Sequence, residues 1–489
     1  MAVERIPLTQ PIESRDGTFD KDSYSSNCVF ETRDQKREFI KRPGLVVAKQ
    51  VVSITPPAYT PSQGLAGFNN KLIAVINNTV YSIDPSSSYA VSTLGTTSST
   101  TNQSYFVKTF LDTYLFFHNG TTGYLLDSSG SFVTMTSLPT SPYVSGCVFL
   151  DNYVFIGTSN NRIYNCNVGD PTTWDALNYV SFEQTTDTLV GIVKHLNYLV
   201  AFGSVSTQFF YDAANATGSP LGVAASYTSE IGCASGDSIV ATSNTVLWVG
   251  TSKTYGRSVY LMDGVAPTRV STNHIDKHLE ADGLSKVSAY CYTFSGHTLY
   301  ILSLHNTNQT LVYDLNERMW YTWTQYSMQS NDQPNPGTYQ ESYFRPAFYA
   351  EVNSVPYVLD DDTATLYYFD PYTYQDAGQP IYCRTVTDIL DNGTTKRKFY
   401  GRLEIIGDKV FGTMMVRHSG DDYKTWSSYR PIDLNASRSQ IYLSGADRRR
   451  AWEFLVTSNC PLRLDGAEVD FRIGEMDQEQ QVGGGRYRK

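Results

Sequence analysis

The order of apolar and polar residues along the chain repeats a unit of two short apolar-aromatic runs separated by a turn rich in Asn, Gly or Thr. The unit begins at positions 67, 108, 146, 191, 236, 289 and 343. This spacing of 38 to 54 residues is close to the period of about 40 to 50 that propeller blades show. Inside the runs apolar side chains alternate, as at Leu72, Ala74 and Ile76. We therefore predict a β-propeller of about six to eight blades.

Two further observations favour this fold. A lone hairpin cannot bury the apolar face that such alternation creates, whereas radially stacked blades bury it against their neighbours. The 36 tyrosines and 23 phenylalanines suit half-buried pleated surfaces, and no stretch shows a long helical repeat. The sequence predicts an all-β chain.

The rest of the pattern predicts four regions. Residues 1–60 show no convincing sheet pattern and are predicted to form an extended N-terminal arm. An opening strand that closes the first blade, and so completes the ring, is the equal alternative. The propeller is predicted for 61–375. The short apolar runs of 376–474 suggest a separate antiparallel β-sandwich, and the charged, Gly- and Gln-rich 475–489 a flexible tail.

Charge is distributed unevenly along the chain. The chain has 38 basic and 48 acidic residues, of which 18 basic and 15 acidic residues lie at positions 380–489. The 20 basic and 33 acidic residues before position 380 give that part a net charge of −13. Two basic runs stand out in the last part, and we predict that they form an assembly interface, with ordinary solvated surface as the alternative. They consist of Lys396, Arg397, Lys398, Arg448, Arg449 and Arg450.

Nothing in the sequence indicates catalysis, a metal site or a cofactor. His274 and His278 lie in an HxxxH pattern, but no glutamate follows the first and no third ligand is evident, so a solvated short helix is predicted. The seven cysteines are scattered and form no CxxC pair, which predicts buried, reduced thiols. The amino terminus lacks the apolar core of a signal peptide, and no apolar run is long enough to span a bilayer, so neither secretion nor a membrane segment is expected.

The segment 419–426 resembles the Asp-box, S-x-D-x-G-x-T-W, of sialidase-like propellers, with Tyr423 in place of the glycine. Asp421 is expected to hold its own turn and Trp426 to cover the hairpin, so both are predicted to be structural. The motif keeps open an alternative, a propeller that binds or cleaves glycans, although it occurs once. A cytosolic scaffold with a peptide-binding face is a second rival, disfavoured by the irregular insertion at 263–279.

Longer segments resemble a known family. The first of these segments is RPGL, at 42–45. It is followed, in this order and up to residue 471, by GSPLGVAASYTSEIGCASGDSIV, LWVG, GRSVYLMDG, APTRVSTNHIDKHL, MWYTW, DDYKTW, ADRRRAWEF and CPLRLDGAEVDF. Together they are similar to the packaged-DNA stabilisation proteins of podoviruses, the tail hub or nozzle family typified by phage P22. Each motif is short, and none is a catalytic signature.

The resemblance implies a non-enzymatic structural protein of the virion tail, assembled in the host cytoplasm. Such a protein is expected to form a ring, a homohexamer, that contacts the portal adaptor ring and tail fibres, spikes or a needle. The ring would close and extend the channel for double-stranded DNA, stabilise the packaged genome and take part in its ejection, without sequence-specific DNA binding. An acidic lumen would suit this role because it repels phosphates.

Overall fold

The computed structural model describes residues 2–474, apart from 14, 17–21, 35, 54–59, 184–185, 216, 255, 327–340 and 443. The chain divides into two compact units. The larger contains Ser14–Gly17 and Pro43–Ile381, and the smaller contains Met1–Glu13, Thr18–Arg42 and Tyr382–Lys489. The predicted flexible tail, 475–489, lies outside the described residues.

Within its described residues, the larger unit forms seven blades of antiparallel strands, numbered here as blades 1 to 7. Blade 1 consists of Ser62–Phe68, Lys71–Ile76, Thr79–Asp84 and Ala90–Thr96, and blade 2 of Tyr105–Lys108, Tyr114–His118, Gly123–Asp127 and Phe132–Thr134. Blade 3 consists of Tyr143–Leu150, Tyr153–Thr158, Arg162–Asn167 and Asp170–Ser181, and blade 4 of Leu189–His195, Tyr198–Gly203, Thr207–Asp212 and Leu221–Val223. Blade 5 consists of Gly232–Cys233, Val240–Ala241, Thr245–Thr251, Ser258–Asp263 and Ala266–Arg269, and blade 6 of Val287–Phe294, His297–Leu304, Gln309–Asp314 and Met319–Thr322. Blade 7 consists of Pro346–Val352, Val355–Asp360, Thr365–Asp370 and Gly44–Gln50. The predicted β-propeller is confirmed, and we call this unit the propeller.

Blade 7 takes its outer strand from the beginning of the chain. Gly44–Gln50 pairs antiparallel with Thr365–Asp370, and Leu45 lies opposite Phe369. The short strands Gln375–Asp376 and Gln379–Pro380 extend this sheet. An N-terminal strand therefore completes the ring, which matches the alternative to an arm, although the strand joins the last blade and not the first.

Apolar side chains fill the spaces between neighbouring blades. One buried cluster joins Leu72 of blade 1 to Leu359 of blade 7, and another joins Val75 of blade 1 to Phe117 of blade 2. Further clusters join blades 2 and 3, 3 and 4, and 4 and 5. Blades 6 and 7 meet where the rings of Tyr292 and Phe369 stack with centroids 4.0 Å apart. The alternating pattern of the sequence thus places apolar side chains on both faces of a blade, and the packing of these side chains between neighbouring blades holds the ring together.

The larger unit contains further elements besides the strands of the blades. Thr324–Tyr326 pairs with Glu341–Tyr343 as a separate two-stranded sheet, and 3-10 turns lie at Pro85–Ser87, Phe110–Asp112 and Gly236–Ser238. The α-helix Asn273–Asp282 follows blade 5; its N-cap Thr272 accepts from the backbone N–H of Ile275, and Gly283 ends it in the left-handed region. Among the described residues the structure contains no helix with the length and hydrophobicity that a membrane crossing requires.

The smaller unit contains two antiparallel sheets. One comprises Ala2–Ile6, Cys28–Arg33, Lys36–Lys41, Lys398–Gly407, Ser439–Ile441, Ala446–Asp447 and Arg463–Ile473; the other includes Tyr24–Ser26, Cys383–Val386, Thr413–Ser419, Arg430–Asp433 and Ala451–Val456. The ring of Tyr400 in the first sheet meets that of Trp452 in the second at a centroid distance of 6.0 Å. We call this unit the sandwich.

The sandwich takes strands from both ends of the chain, which differs from the predicted extended arm. Ala2–Ile6 pairs along Arg463–Ile473, and Lys36–Lys41 pairs with the same long strand. Ala2–Ile6, Tyr24–Ser26, Cys28–Arg33 and Lys36–Lys41 are therefore strands of the sandwich. Strands from the C-terminal part of the chain pair with three of them, which local sequence does not reveal.

The seven cysteines are all free thiols. Five are buried, and burial raises the pKa of the Cys233 thiol to about 12. A thiol that stays protonated is a poor nucleophile, so these residues pack as small apolar groups.

Candidate functional site

The two basic runs meet in the sandwich. Lys398 donates hydrogen bonds from Nζ to the carbonyl oxygens of Thr394 (2.6 Å), Lys396 (3.1 Å) and Arg448 (2.5 Å). One ammonium group thereby holds both runs together, although Lys398 and Arg448 are 50 positions apart. The structure brings the predicted cations into one place.

Lys398 itself is not part of the accessible surface. Its side chain is fully buried, and burial lowers the pKa of the ammonium, while Asp391 and Glu4 act to raise it. Three carbonyl acceptors replace the water that the charge loses. The prediction that Lys398 forms part of an interface is therefore corrected: it is an internal tie.

Arg450 is internal for a similar reason. Its fully buried guanidinium donates to Asp447 Oδ2 (2.8 Å from Nε) and to the carbonyl of Ser444 (2.6 Å). It also lies 3.9 Å from the ring centroid of Tyr400 and 4.9 Å from that of Trp452. Stacking and ion pairing fix Arg450 in the sandwich core, so it too is removed from the predicted interface.

The other four cations remain exposed and adjacent. Lys396, Arg397, Arg448 and Arg449 are exposed to solvent, and the exposed ring of Phe399 lies on the strand that follows the first run. We call these five residues the basic surface. The sequence predicted the charges of this surface. Only the structure shows that the third residue of each basic run, Lys398 and Arg450, is buried and that Phe399 lies beside the exposed cations.

The Asp-box-like turn lies in the sandwich. Asp421 Oδ1 accepts hydrogen bonds from the Thr425 backbone N–H and the Ser419 hydroxyl, each at 2.9 Å, and the hydroxyl of Thr425 donates to Oδ2. These bonds, that of the Thr425 hydroxyl first, lower the pKa of Asp421 to about 2. The indole ring of Trp426 lies 4.9 Å from the guanidinium of Arg417.

This position removes the motif's support for a glycan-active propeller. Asp-box turns belong to propeller blades, whereas this one follows a sandwich strand, Thr413–Ser419. Tyr423, at the glycine position of the pattern, is buried with a positive φ of 62°. The bonds of Asp421 hold a local turn.

The HxxxH pair lies on the α-helix, but the two histidines differ. His278 is fully buried, and its Nδ1 lies 2.8 Å from Gln309 Oε1. The prediction of a wholly solvated helix is wrong for this residue because the face with Ile275 and Leu279 packs inward. In the part of the chain that the structure describes, no group of three or more His, Cys, Asp or Glu side chains is placed to hold a metal ion.

The first strands of the blades surround a central cavity of about 440 Å³. All seven blades contribute to its wall, through residues that include Leu65, Tyr105, Ser145, Ile192, Asp237, Tyr290 and Phe348. Asp237 accepts hydrogen bonds from the Tyr105 hydroxyl and from Ser145 Oγ (3.3 Å). Burial raises the pKa of Asp237.

This cavity is too small for duplex DNA. The major groove of B-DNA alone is about 12 Å wide, whereas polar bonds here connect blades 2, 3 and 5 across the cavity. DNA therefore cannot pass through a single propeller.

A second cavity, of about 630 Å³, lies among the first strands and the turns between second and third strands. Asp361 accepts there from Lys286 Nζ (2.9 Å) and from the Tyr343 hydroxyl (3.0 Å), and His305 Nδ1 is 3.4 Å away. The carboxylate is thus neutralised by its neighbours, and the cluster stabilises this end of the propeller.

A closed ring of seven blades with an added β-sandwich defines the chain as a β-propeller protein. A family model described as "Bacteriophage P22 Gp10, beta-propeller" matches residues 13–374. The chain belongs to this family of phage structural proteins.

Two solved structures are similar to this chain at low sequence identity. The Pan2 WD40 domain of Neurospora crassa is 11% identical, with a TM-score of 0.40 over 67% of this chain and 94% of that chain. BamB of Moraxella catarrhalis is 10% identical, with a TM-score of 0.38 over 76% and 98%. No curated protein matches the sequence.

Proposed function

We propose that the protein forms a ring in the short tail of a phage virion, as a hub or nozzle. The ring closes and extends the DNA channel, stabilises the packaged genome and takes part in its ejection. Membership of the phage P22 Gp10 family is the observation that carries this proposal.

The shape of the propeller supports a ring of copies. Since duplex DNA does not fit through one propeller, the channel must run between subunits. A homohexamer with a shared lumen provides such a channel, and cyclic assemblies are a common way to build one. Gly44–Gln50 completes the blade ring, and closure of the ring makes each subunit suited to serve as a rigid block.

The charge of the propeller supports its placement along the lumen. Its two segments, 14–17 and 43–381, hold 13 basic and 26 acidic residues. An acidic wall repels phosphates and keeps non-specific adhesion low, so DNA can slide during ejection. The partners in this proposal are the portal adaptor ring on one side and tail fibres, spikes or a needle on the other.

The test measures assembly and genome retention together. The mass of the purified protein is determined alone and with a candidate adaptor ring, and particles lacking the protein are assayed for packaged DNA. We expect a ring or an adaptor complex, and loss of DNA from particles that lack the protein. A protein that stays monomeric under both conditions, with particles that retain their DNA, would overturn the proposal.

A further inference from the structure

The turns that connect the first and second strands of the blades lie on one face of the propeller. The strands of every blade run antiparallel in the same order, so these turns, and those between third and fourth strands, share a side. We call this side the first-turn face. In five blades the first turn has two residues, and the first of the two is in the left-handed region: Asn69, Asp151, Leu196, Ser295 and Asn353, with φ between 47° and 54°.

Blade 4 differs from the other four blades in the residue at this position. Asn, Asp and, less readily, Ser tolerate the left-handed region, whereas leucine is unfavourable there. Leu196 is nevertheless found at φ 52° with 44% of its surface exposed. The other four blades have a small polar residue at this position. The left-handed conformation does not favour Leu196, and the subunit does not bury its side chain, so neither property explains why a leucine is found there.

Blade 2 repeats the observation in a longer turn. Leu111 has a φ of 55° and is 82% exposed, and its neighbour Phe110 is 63% exposed. Blade 3, between them, exposes Val168 in the turn between its third and fourth strands, also at 63%. Three consecutive blades thus present apolar tips on one face. Clustered apolar exposure of this kind marks protein interaction sites.

The charge around these tips limits the partner. Asp127, Asp151, Asp170 and Asp212 lie in or next to first-turn-face turns of blades 2 to 4. Two exposed cations lie beside the same turns: Lys194, and Lys108, which pairs with Asp112 at 3.5 Å. Acidic side chains outnumber basic ones there, and the propeller as a whole has twice as many acidic as basic residues. The fitting surface is therefore apolar and cationic. The basic surface of the sandwich has this character, with four exposed cations beside the exposed ring of Phe399.

We propose that the first-turn face over blades 2 to 4 binds the basic surface of a second copy of this chain. The contact is heterologous, since two different surfaces meet, and repetition of such a contact closes a ring when the rotation allows it. Apolar tips supply affinity in the centre, and the charges around them raise the encounter rate and fix the orientation. The inference rests on the proposed ring and specifies its subunit contact.

Two full-length variants test the two sides of this contact. The first variant combines Leu111→Asn and Leu196→Asn, which removes the two exposed leucines from the first-turn face. Because asparagine tolerates the left-handed backbone conformation at both positions, the melting temperature of this variant should be unchanged or raised. Arg448→Glu with Arg449→Glu reverses the exposed cations. The matched controls are Leu177→Asn, an exposed leucine on the outer strand of blade 3, and Lys424→Glu with Arg438→Glu, exposed cations elsewhere in the sandwich.

Sedimentation measures the outcome. Each test variant alone should associate at least tenfold more weakly than the natural chain, and the arginine variant should show a weaker dependence on salt, whereas both controls should form rings. An equimolar mixture of the two test variants should give a one-to-one dimer and no ring, because one intact contact remains between unlike copies. Rings from either test variant alone, or a mixture that stays monomeric, would overturn this inference. A natural chain that never associates would instead overturn the proposed ring.

Discussion

Lys398 and His118 are polar side chains that the fold buries completely, and backbone groups satisfy both. Lys398 Nζ donates to three carbonyl oxygens. His118 Nε2 lies 2.9 Å from the carbonyl of Gly146, and Nδ1 accepts from the Gly120 N–H at 3.2 Å. A buried polar group that loses its partners costs more than the bond itself contributes, so both positions are expected to be sensitive to substitution.

Replacing Lys398 by methionine should keep the aliphatic stem and remove the ammonium. Three carbonyl acceptors would then lack a donor, and we expect the free energy of unfolding to fall by about 1–3 kcal/mol. Urea unfolding of the full chain measures the change. Lys396→Met removes an exposed charge from the same strand region and should alter stability by less than about 0.5 kcal/mol; equal losses in the two variants would contradict the internal role of Lys398.

His118 should make the protein less stable in acid. Burial lowers the pKa of His118 to about 4 from the ordinary value of 6.5. Between these values the unfolded chain binds a proton that the folded chain does not, so stability is complete above about pH 6.5 and falls as the pH drops towards 4. At about 1.4 kcal/mol per pKa unit, the loss is about 2–3 kcal/mol.

Comparing unfolding at pH 7 and pH 4.5 in two variants isolates this contribution. His118→Gln should lose a large part of the difference in stability between the two pH values, because the titrating group is gone. His274→Gln, on the α-helix, should keep it. An unchanged pH dependence in His118→Gln would show that other groups account for the acid sensitivity.

At the scale of elements, the first turns of the blades form an internal comparison. The same two-residue turn recurs with Asn, Asp, Ser or Leu at its first position, so one position can be compared among blades of a single molecule. Asn353 and Leu196 are both exposed there, with φ values of 54° and 52°. The cost of the left-handed conformation should therefore differ between them.

Exchanging the two residue types should shift stability in opposite directions. Leu196→Asn should raise the free energy of unfolding by about 0.5–1 kcal/mol, part of the 1–2 kcal/mol that a left-handed conformation costs, because some side-chain burial is lost. Asn353→Leu should lower it by a similar amount. Thermal unfolding at a concentration where the chain is monomeric measures both, and a loss of stability in Leu196→Asn would show that the leucine stabilises its own blade.

At the scale of the whole molecule, closure of the propeller depends on a strand far away in the sequence. Thr365 pairs with Gln50, and Leu45, which is buried, pairs with Phe369. Removal of this strand would leave the third strand of blade 7 as an open edge. Open edges pair with other chains and cause aggregation.

Leu45→Pro should open the ring at this point. Proline removes a backbone donor and is not tolerated in the middle of a β-sheet, and the buried leucine side chain is lost as well. We expect faster hydrogen exchange along Thr365–Asp370 and aggregation at lower temperature. Lys49→Ala, in the same strand, keeps the ladder and should behave like the natural chain; normal protection of Thr365–Asp370 in Leu45→Pro would contradict closure by this strand.

The sequence by itself determined the all-β class, the propeller and the approximate positions of its blades. Alternation of side chains and turn residues are local properties, and each blade is built from consecutive strands, so the local pattern carries the information. The basic runs were likewise visible as charge.

Only the tertiary structure decided which basic residues are exposed. Lys398 and Arg450 look like their neighbours in sequence, but they are buried because partners from distant positions, such as the carbonyl of Arg448, surround them. The amino-terminal strands were missed for the same reason: Ala2–Ile6 is stabilised by Arg463–Ile473, more than 450 positions away. Pairing over such distances depends on where the fold places both strands, and no local pattern records it.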